Sequence, residues 1–355
     1  MSKFNIWNKW DPLKVCMLGN NFTPEFFDGL PNAVATPLKR ICEETLEDLE
    51  AYKRILVDYG VHVIQPELDN KKRFLEETRG ITKDYGRGPL QPRDHQLILG
   101  NRAYTWDKDH PAIGKCLTDY SSKTIKLPLT DNNNLNSATV FMIGKDVYHQ
   151  PVKSTHFNKI YNFMFKDHRR NTIIDGQGHT DGCFHPIKPG AIISIVYEEN
   201  YASSFEGWDV CYLENESWDK VINWRKLKDK NEGKWWLLGE ENNDEFIYFV
   251  NTWLADWVGY VEESVFDVNV LMLDEHHCCV SNPHNEKINA FFKKHKIEPV
   301  HVPWRHRWFW DGGLHCITLD LYREGIQQDY FPDRPDHAID HTKPLPKELQ
   351  HCMIL

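Results

Sequence analysis

The feature that most restricts this chain is a repeating order of elements. Short apolar strands and amphipathic helices alternate along its 355 residues. "LKVCMLGN" (Leu13–Asn20) reads as a strand closed by Gly-Asn. "LKRICEETLEDLEAYKRILVDYG" (Leu38–Gly60) spaces apolar residues by three and four and stops at a glycine, as an amphipathic helix with a C-cap does. "VHVIQP" (Val61–Pro66) is the next strand, and "HQLILGNRAYTW" (His95–Trp106) and "ATVFMIGKDVYHQ" (Ala138–Gln150) read as hairpins turned at glycine. "AIISIVY" (Ala191–Tyr197) and "VLMLDEHHCCVS" (Val270–Ser281) are apolar strands, and "NEKINAFFKKHKIEPVHV" (Asn285–Val302) is a helix followed by a strand. The order strand–strand–helix–strand returns about every seventy residues, which predicts one α/β domain of repeats over residues 1–326. The charged segment Lys226–Glu245 is an exposed insertion or helix, and residues 327–355, rich in Pro, Asp and His, form an irregular C-terminal extension.

Composition removes several function classes. With 41% hydrophobic residues the chain buries a large core, and a net charge of −10 is the wrong sign for a nucleic-acid binder. It has no run of eighteen apolar residues to span a membrane, and "MSKFNIWNKWDPLK" has no apolar leader, so a cytoplasmic protein is expected. Nine cysteines, an odd count without even spacing, point to reduced thiols rather than a disulfide framework. "DEHHCCV" and "HTDGCFH" lack a complementary ligand pair at zinc spacing, so no metal is expected. There is no G-x-G-x-x-G after the first strand, no P-loop and no G-x-S-x-G elbow.

The polar residues that remain sit at strand mouths. In "WDGGLHCITLD" (Trp310–Asp320) two glycines and a histidine lead into Cys316, which reads either as the first residue of a core strand or as a nucleophile. "LQPRDHQLILGN" places Arg93 and Asp94 before a hairpin, as a solvated ion pair or as ligand groups. In "DGQGHTDG" His179 and Asp181 are two apart, so an extended chain points both the same way. Thiol, imidazole and two carboxylates suit chemistry at a guanidino carbon, because a planar guanidinium presents its donors as a fork to carboxylates. A papain-like peptidase needs the thiol and imidazole but has little use for two aspartates around its electrophile.

The motifs "WDPLKVCMLGN", "PRDHQLILGN", "HTDG", "VNVLMLDE" and "GGLHCITLDLYREG" resemble, in order, those of the glycine amidinotransferase branch of the guanidino-group-modifying enzymes. The resemblance covers residues 8 to about 326. It implies the α/β pentein fold, five ββαβ units around a pseudo-fivefold axis with the site in the central channel. It implies an amidinotransferase that moves the amidino group of arginine, or a related guanidine, to an amine through an amidino-cysteine. The partners are then small molecules, no cofactor is needed, and a homo-oligomer is allowed. By motif, Cys316 resembles the nucleophile, His179 the general acid and base, and Asp94 and Asp181 the guanidinium clamp, with the glycines bending the chain so that the thiol faces the channel. Two positions depart from the pattern. Asn136 falls where the family places an acid that orients the histidine, with Asp131 as its substitute. Glu198 falls where the family's carboxylate-gripping arginine lies, so Arg305 and Arg307 replace that arginine, or Glu198 binds a cationic tail such as that of agmatine. The alternatives are a guanidine hydrolase or deiminase of the same fold and a guanidine-binding homologue without turnover.

Overall fold

In the computed structural model, β1 (Leu13–Leu18) lies between partners from opposite ends of the chain. It runs parallel to β2 (His62–Ile64) and antiparallel to Thr318–Arg323, so the last core strand completes the first sheet. The structure describes residues 3–77, 88–106, 110–127, 136–149, 162–172, 179–195, 204–213, 236–259, 263–336 and 339–340.

The same unit then recurs: an antiparallel pair whose second strand continues into a parallel one. The second unit is β3 (Leu97–Leu99), β4 (Arg102–Trp106), α2 (Pro111–Tyr120) and β5 (Thr124–Leu127), following α1 (Asn32–Asp58) of the first. The third has β6 (Val140–Ile143), β7 (Asp146–His149) and β8 (Arg169–Thr172), and the fourth β9 (Phe184–Lys188), β10 (Ala191–Ser194) and β11 (Asp209–Tyr212). After α3 (Asp244–Trp253), the fifth has β12 (Leu271–Met272), β13 (His277–Val280), α4 (Glu286–Lys294) and β14 (Glu298–His301). The closing strand Thr318–Arg323 is β15. Parallel pairing needs a long crossover, and right-handed β–α–β connections supply it. The hairpin turns at Gly100 and Gly144 have φ of +54° and +59°, a conformation that costs glycine least.

Three expectations change. Val270–Ser281 is a hairpin rather than one strand, because Asp274 Oδ1 accepts from the backbone N–H of His276 and His277 at 2.7 and 3.0 Å and turns the chain. The tail is not wholly irregular: Ile339–Asp340 (β16) adds a strand beside β8, and Lys145 N–H donates to Gln328 O at 2.7 Å. The first helix begins at Asn32, ahead of Leu38, and carries Pro37 inside it. Proline has no N–H to return to the carbonyl of Ala33. Asn243 Nδ2 donates to that carbonyl instead, at 2.7 Å, while Asn243 Oδ1 accepts from Phe246 N–H at 3.1 Å and caps α3.

The core follows the amphipathic pattern. Leu38, Ile41, Leu49, Tyr52 and Leu56 of α1 join Trp310, Leu314 and Ile317 in one buried cluster, which fixes the loop ahead of β15. No helix among the described residues is long and apolar enough to cross a membrane. Asn243→Ala removes both a cap and the partner of the Ala33 carbonyl, so a loss of about 1–3 kcal/mol in urea unfolding is expected. An unchanged midpoint would mean that another donor serves Ala33.

Candidate active site

Cys316 stands where the loop after Trp310 enters β15. The paired glycines ahead of it do not bend the chain through left-handed backbone; the positive φ in this loop, +48°, belongs to Asp311. They are needed for close approach. A Cβ on Gly312 would lie 2.3 Å from Gln91 Nε2, and one on Gly313 would lie 2.6 Å from Asn269 Oδ1. Gln91 Nε2 donates to the carbonyls of Trp310 and Asp311 at 2.8 and 3.1 Å and pins the loop beside the Pro92–Asp94 turn.

Asn269 holds the thiol. Its Oδ1 accepts from His315 and Cys316 N–H at 3.0 and 3.1 Å, and its Nδ2 donates to Cys316 Sγ at 3.1 Å and Asp181 O at 3.2 Å. Cys316 Sγ donates in turn to Asp181 Oδ2 at 3.5 Å. The same oxygen accepts from His315 Nδ1 at 2.7 Å. His315 is fully buried, its ring stacked on Phe141, and burial followed by the charges of Arg93 and Lys9 holds its pKa well below the usual value. It is therefore a neutral donor that fixes one oxygen of Asp181. Asp181 Oδ1 is buried and accepts no hydrogen bond among the described residues.

Asp94 reaches the same place from the second unit. His179 Nδ1 lies 3.4 Å from Asp94 Oδ1, with 40% of the His179 side chain exposed. Both aspartates act electrostatically on Cys316: burial, then Asp181, then Asp94 push its thiol well above the usual value. Burial also raises Asp181 to about 6, with Asp94 adding to the rise against the opposing pull of His179. A thiol flanked by two carboxylates is a poor nucleophile by itself. A cation seated between them reverses the local field and favours the thiolate.

Arg93 is not a solvated partner of Asp94. It is buried, donates from Nη2 to Asp320 Oδ1 and from Nε to His315 O, both at 2.6 Å, and so ties the turn carrying Asp94 to β15 and to the turn before it that carries Cys316.

No protein-family model matches the chain. Glycine amidinotransferase, mitochondrial, of Xenopus laevis is 23% identical over 92% of this chain and 84% of its own. Among solved structures, an amidinotransferase of the saxitoxin biosynthetic pathway from Microseira wollei superposes with a TM-score of 0.63 at 17% identity, covering 93% of this chain and 100% of that one. The inosamine-phosphate amidinotransferase of Streptomyces griseus gives 0.64 at 15% identity over 93% and 99%. The agmatine deiminase of C. jejuni gives 0.53 at 15% identity over 91% and 96%. The chain shares the pentein fold of these enzymes and is similar in sequence to glycine amidinotransferase. Its five sheets are the α/β repeats of that fold.

The pentein brings Cys316, Asp181, Asp94 and His179 together and sends other expected residues elsewhere. The Asn136 carboxamide does not stand as a histidine-orienting group. Its Oδ1 accepts from Ala138 and Thr139 N–H, both at 3.0 Å, and its Nδ2 donates to Asp94 O at 2.9 Å. Since Asp181 N–H donates to Ala138 O, Asn136 braces the backbone of both Asp94 and Asp181. Arg305 is not a carboxylate anchor: its guanidinium pairs with Asp48 and Glu47 of α1 and donates to Glu44 O. Arg307 lies over the ring of Trp308 and donates to Trp304 O. Glu198 and Asp131 lie outside the described residues. Asn269, His315, Gln91 and Asp320 complete the site, and all four stand inside the sequence motifs, where nothing local marks them apart.

Two outcomes are expected in solution. If Asp181 takes up a guanidinium ion it does so as the carboxylate, so full affinity is expected only above about pH 6. Affinity weakens below that value by up to about tenfold per pH unit. In the ligand-free protein the sign reverses. A carboxylate raised on folding contributes stability below its unfolded pKa of about 3.9, lost as pH rises through about 6. Calorimetric titration and melting across this range check both, and affinity independent of pH would remove Asp181 from the clamp. Second, ultraviolet difference spectra between wild type and Cys316→Ser are expected to show no thiolate at neutral pH without ligand, and thiolate once guanidinium ion is added at a sub-denaturing concentration. Thiolate already present in the free protein would contradict the electrostatics described.

Proposed function

We propose that this pentein is an amidinotransferase, moving the amidino group of arginine or a related guanidine to an amine through a covalent amidino-Cys316. The observation that carries the reading is the thiol set against two carboxylates, each of which keeps a buried oxygen that accepts no hydrogen bond among the described residues. This sign of charge suits a cationic electrophile. Acyl transfer would need N–H donors at the nucleophile to receive an oxyanion. Here the N–H groups of Cys316 and His315 are occupied by Asn269 Oδ1.

In this mechanism Asp94 and Asp181 hold the guanidinium, and its charge lets Cys316 give its proton to His179. Sulfur attacks the guanidino carbon, the bond from that carbon to the departing nitrogen breaks, and His179 returns the proton to the leaving amine. The acceptor amine then attacks the amidino carbon and passes a proton to His179. The carbon–sulfur bond breaks with its electron pair left on sulfur. The exposure of His179 lets it exchange protons with solvent and acceptor. The pairing of Arg305 with α1 supports a donor class that includes guanidines without a carboxylate, such as agmatine. The nine cysteines, an odd count without even spacing, support a reducing compartment such as the cytosol.

Incubation with amidino-labelled arginine or agmatine tests the reading. Label transferred only when an amine is present is the expected result. Release of citrulline or its agmatine counterpart without amine would mean a deiminase, which has the same fold in C. jejuni. A stable adduct on Cys316 without product would mean a binding protein that lost turnover. Cys316→Ala is expected to abolish adduct and product, and Asp94→Asn to cost roughly 2–5 kcal/mol in kcat/KM. Near-parental activity in either variant would place the chemistry elsewhere.

A further inference from the structure

The bonds around Asn269 leave its carboxamide one orientation. Oδ1 faces two backbone N–H donors, from His315 and Cys316, which occupy both of its lone pairs. Nδ2 faces a carbonyl oxygen, that of Asp181, and the sulfur of Cys316. A flipped amide would set N–H against N–H on one side and oxygen against oxygen on the other. The sulfur therefore receives an N–H at 3.1 Å while its own proton points to Asp181 Oδ2 at 3.5 Å. Asn269 is 2% exposed, and a Cβ on Gly313 would overlap its Oδ1, so the second glycine of the motif makes room for this side chain. Around the sulfur, Asp181 and Asp94 oppose a negative charge, whereas the Asn269 side chain and a backbone bond involving Gly313 favour one.

We infer that Asn269 is a catalytic residue whose side-chain N–H stabilises the Cys316 thiolate, both as it forms beside the bound guanidinium and as it leaves the amidino carbon. The inference rests on Cys316 being the nucleophile. The electron pair returning to sulfur when the carbon–sulfur bond breaks meets a donor already aimed at it, with no rearrangement. Hydrogen bonds to a charged partner are stronger than neutral ones, so the contact gains strength when sulfur becomes anionic. This differential is what lowers a barrier, as uniform binding does not. His315 is a positioning residue by comparison, since it touches Asp181 and not the sulfur.

The test measures the thiolate, not turnover. Asn269→Ser is neutral and keeps an oxygen near the backbone N–H groups, but its hydroxyl is too short to reach the sulfur. With guanidinium ion bound, the ultraviolet thiolate titration of this variant is expected to move up by about one pH unit, a tenfold loss of thiolate at a given pH. Measured at a pH below the thiol titration, where sulfur stays protonated in both proteins, the guanidinium dissociation constant should stay within about twofold, since both carboxylates are kept, and kcat should fall with little change in KM. An unshifted thiol pKa would overturn the inference. Guanidinium failing to raise thiolate in wild type would instead overturn the reading of Cys316 beneath it. If the variant does not fold, wild-type protein with 15N-labelled asparagine side chains decides. One carboxamide signal is expected to follow the guanidinium-dependent thiol titration, and a set in which none follows it would overturn the inference.

Discussion

One buried carboxylate holds the two ends of this molecule together. Asp320 on β15 accepts from Arg93 Nη2 at 2.6 Å and Arg323 Nε at 2.8 Å, with Lys9 Nζ at 3.7 Å. Burial by itself would raise its pKa. Arg323, Lys9 and Arg93 overcome that and hold it well below the usual carboxylate range. The three cations come from the start of the chain, the second unit and the closing strand. Arg323 also donates to the carbonyls of Asp11 and Met272, so the fifth unit joins the same centre. An uncompensated charge here would cost several kcal/mol, which makes the ring of sheets conditional on this set being complete. Lys9 shows the strain of the arrangement, since burial lowers it to about 7 despite Asp320 beside it.

The candidate site is built on that centre by short covalent steps. Arg93 is the neighbour of Asp94, and its Nε binds the carbonyl of His315, the neighbour of Cys316. Closing the first sheet therefore places Cys316 and Asp94 at once. Asn136 braces Asp94 O directly and Asp181 N–H through Ala138 O. Asp94, Asp181 and Cys316 are thus each held by a hydrogen bond from another unit. A channel in a repeat fold permits this, because strands distant in sequence present their ends to one axis.

The same buried surroundings that position the thiol also keep it protonated. Burial, Asp181 and Asp94 all oppose its ionisation. Under the proposed mechanism this would couple reactivity to occupancy: the group that makes Cys316 nucleophilic would be the guanidinium to be attacked. Asn269 supplies the only fixed donor contact to the sulfur among the described side chains.

By itself the sequence determined what local periodicity and turn chemistry control. The hairpins at Gly100 and Gly144, the helix–strand pair Glu286–His301 and the recurrence of strand–strand–helix–strand were legible because strands and helices announce themselves over a few residues. Cys316, His179, Asp94 and Asp181 stood out because their chemical types match one planar cation. The start of α1 was hidden by Pro37, which is tolerated there because Asn243, far along the chain, serves the Ala33 carbonyl. Arg93 and Arg305 were misjudged because an arginine is assigned by its partner, and Asp320 and Asp48 lie more than two hundred residues away. Asn136 and Asn269 could not be ranked in advance, since a carboxamide's role depends on which backbone groups meet its two ends. Only the tertiary structure, by bringing β15 beside β1, decided that one asparagine braces a turn and the other faces the sulfur.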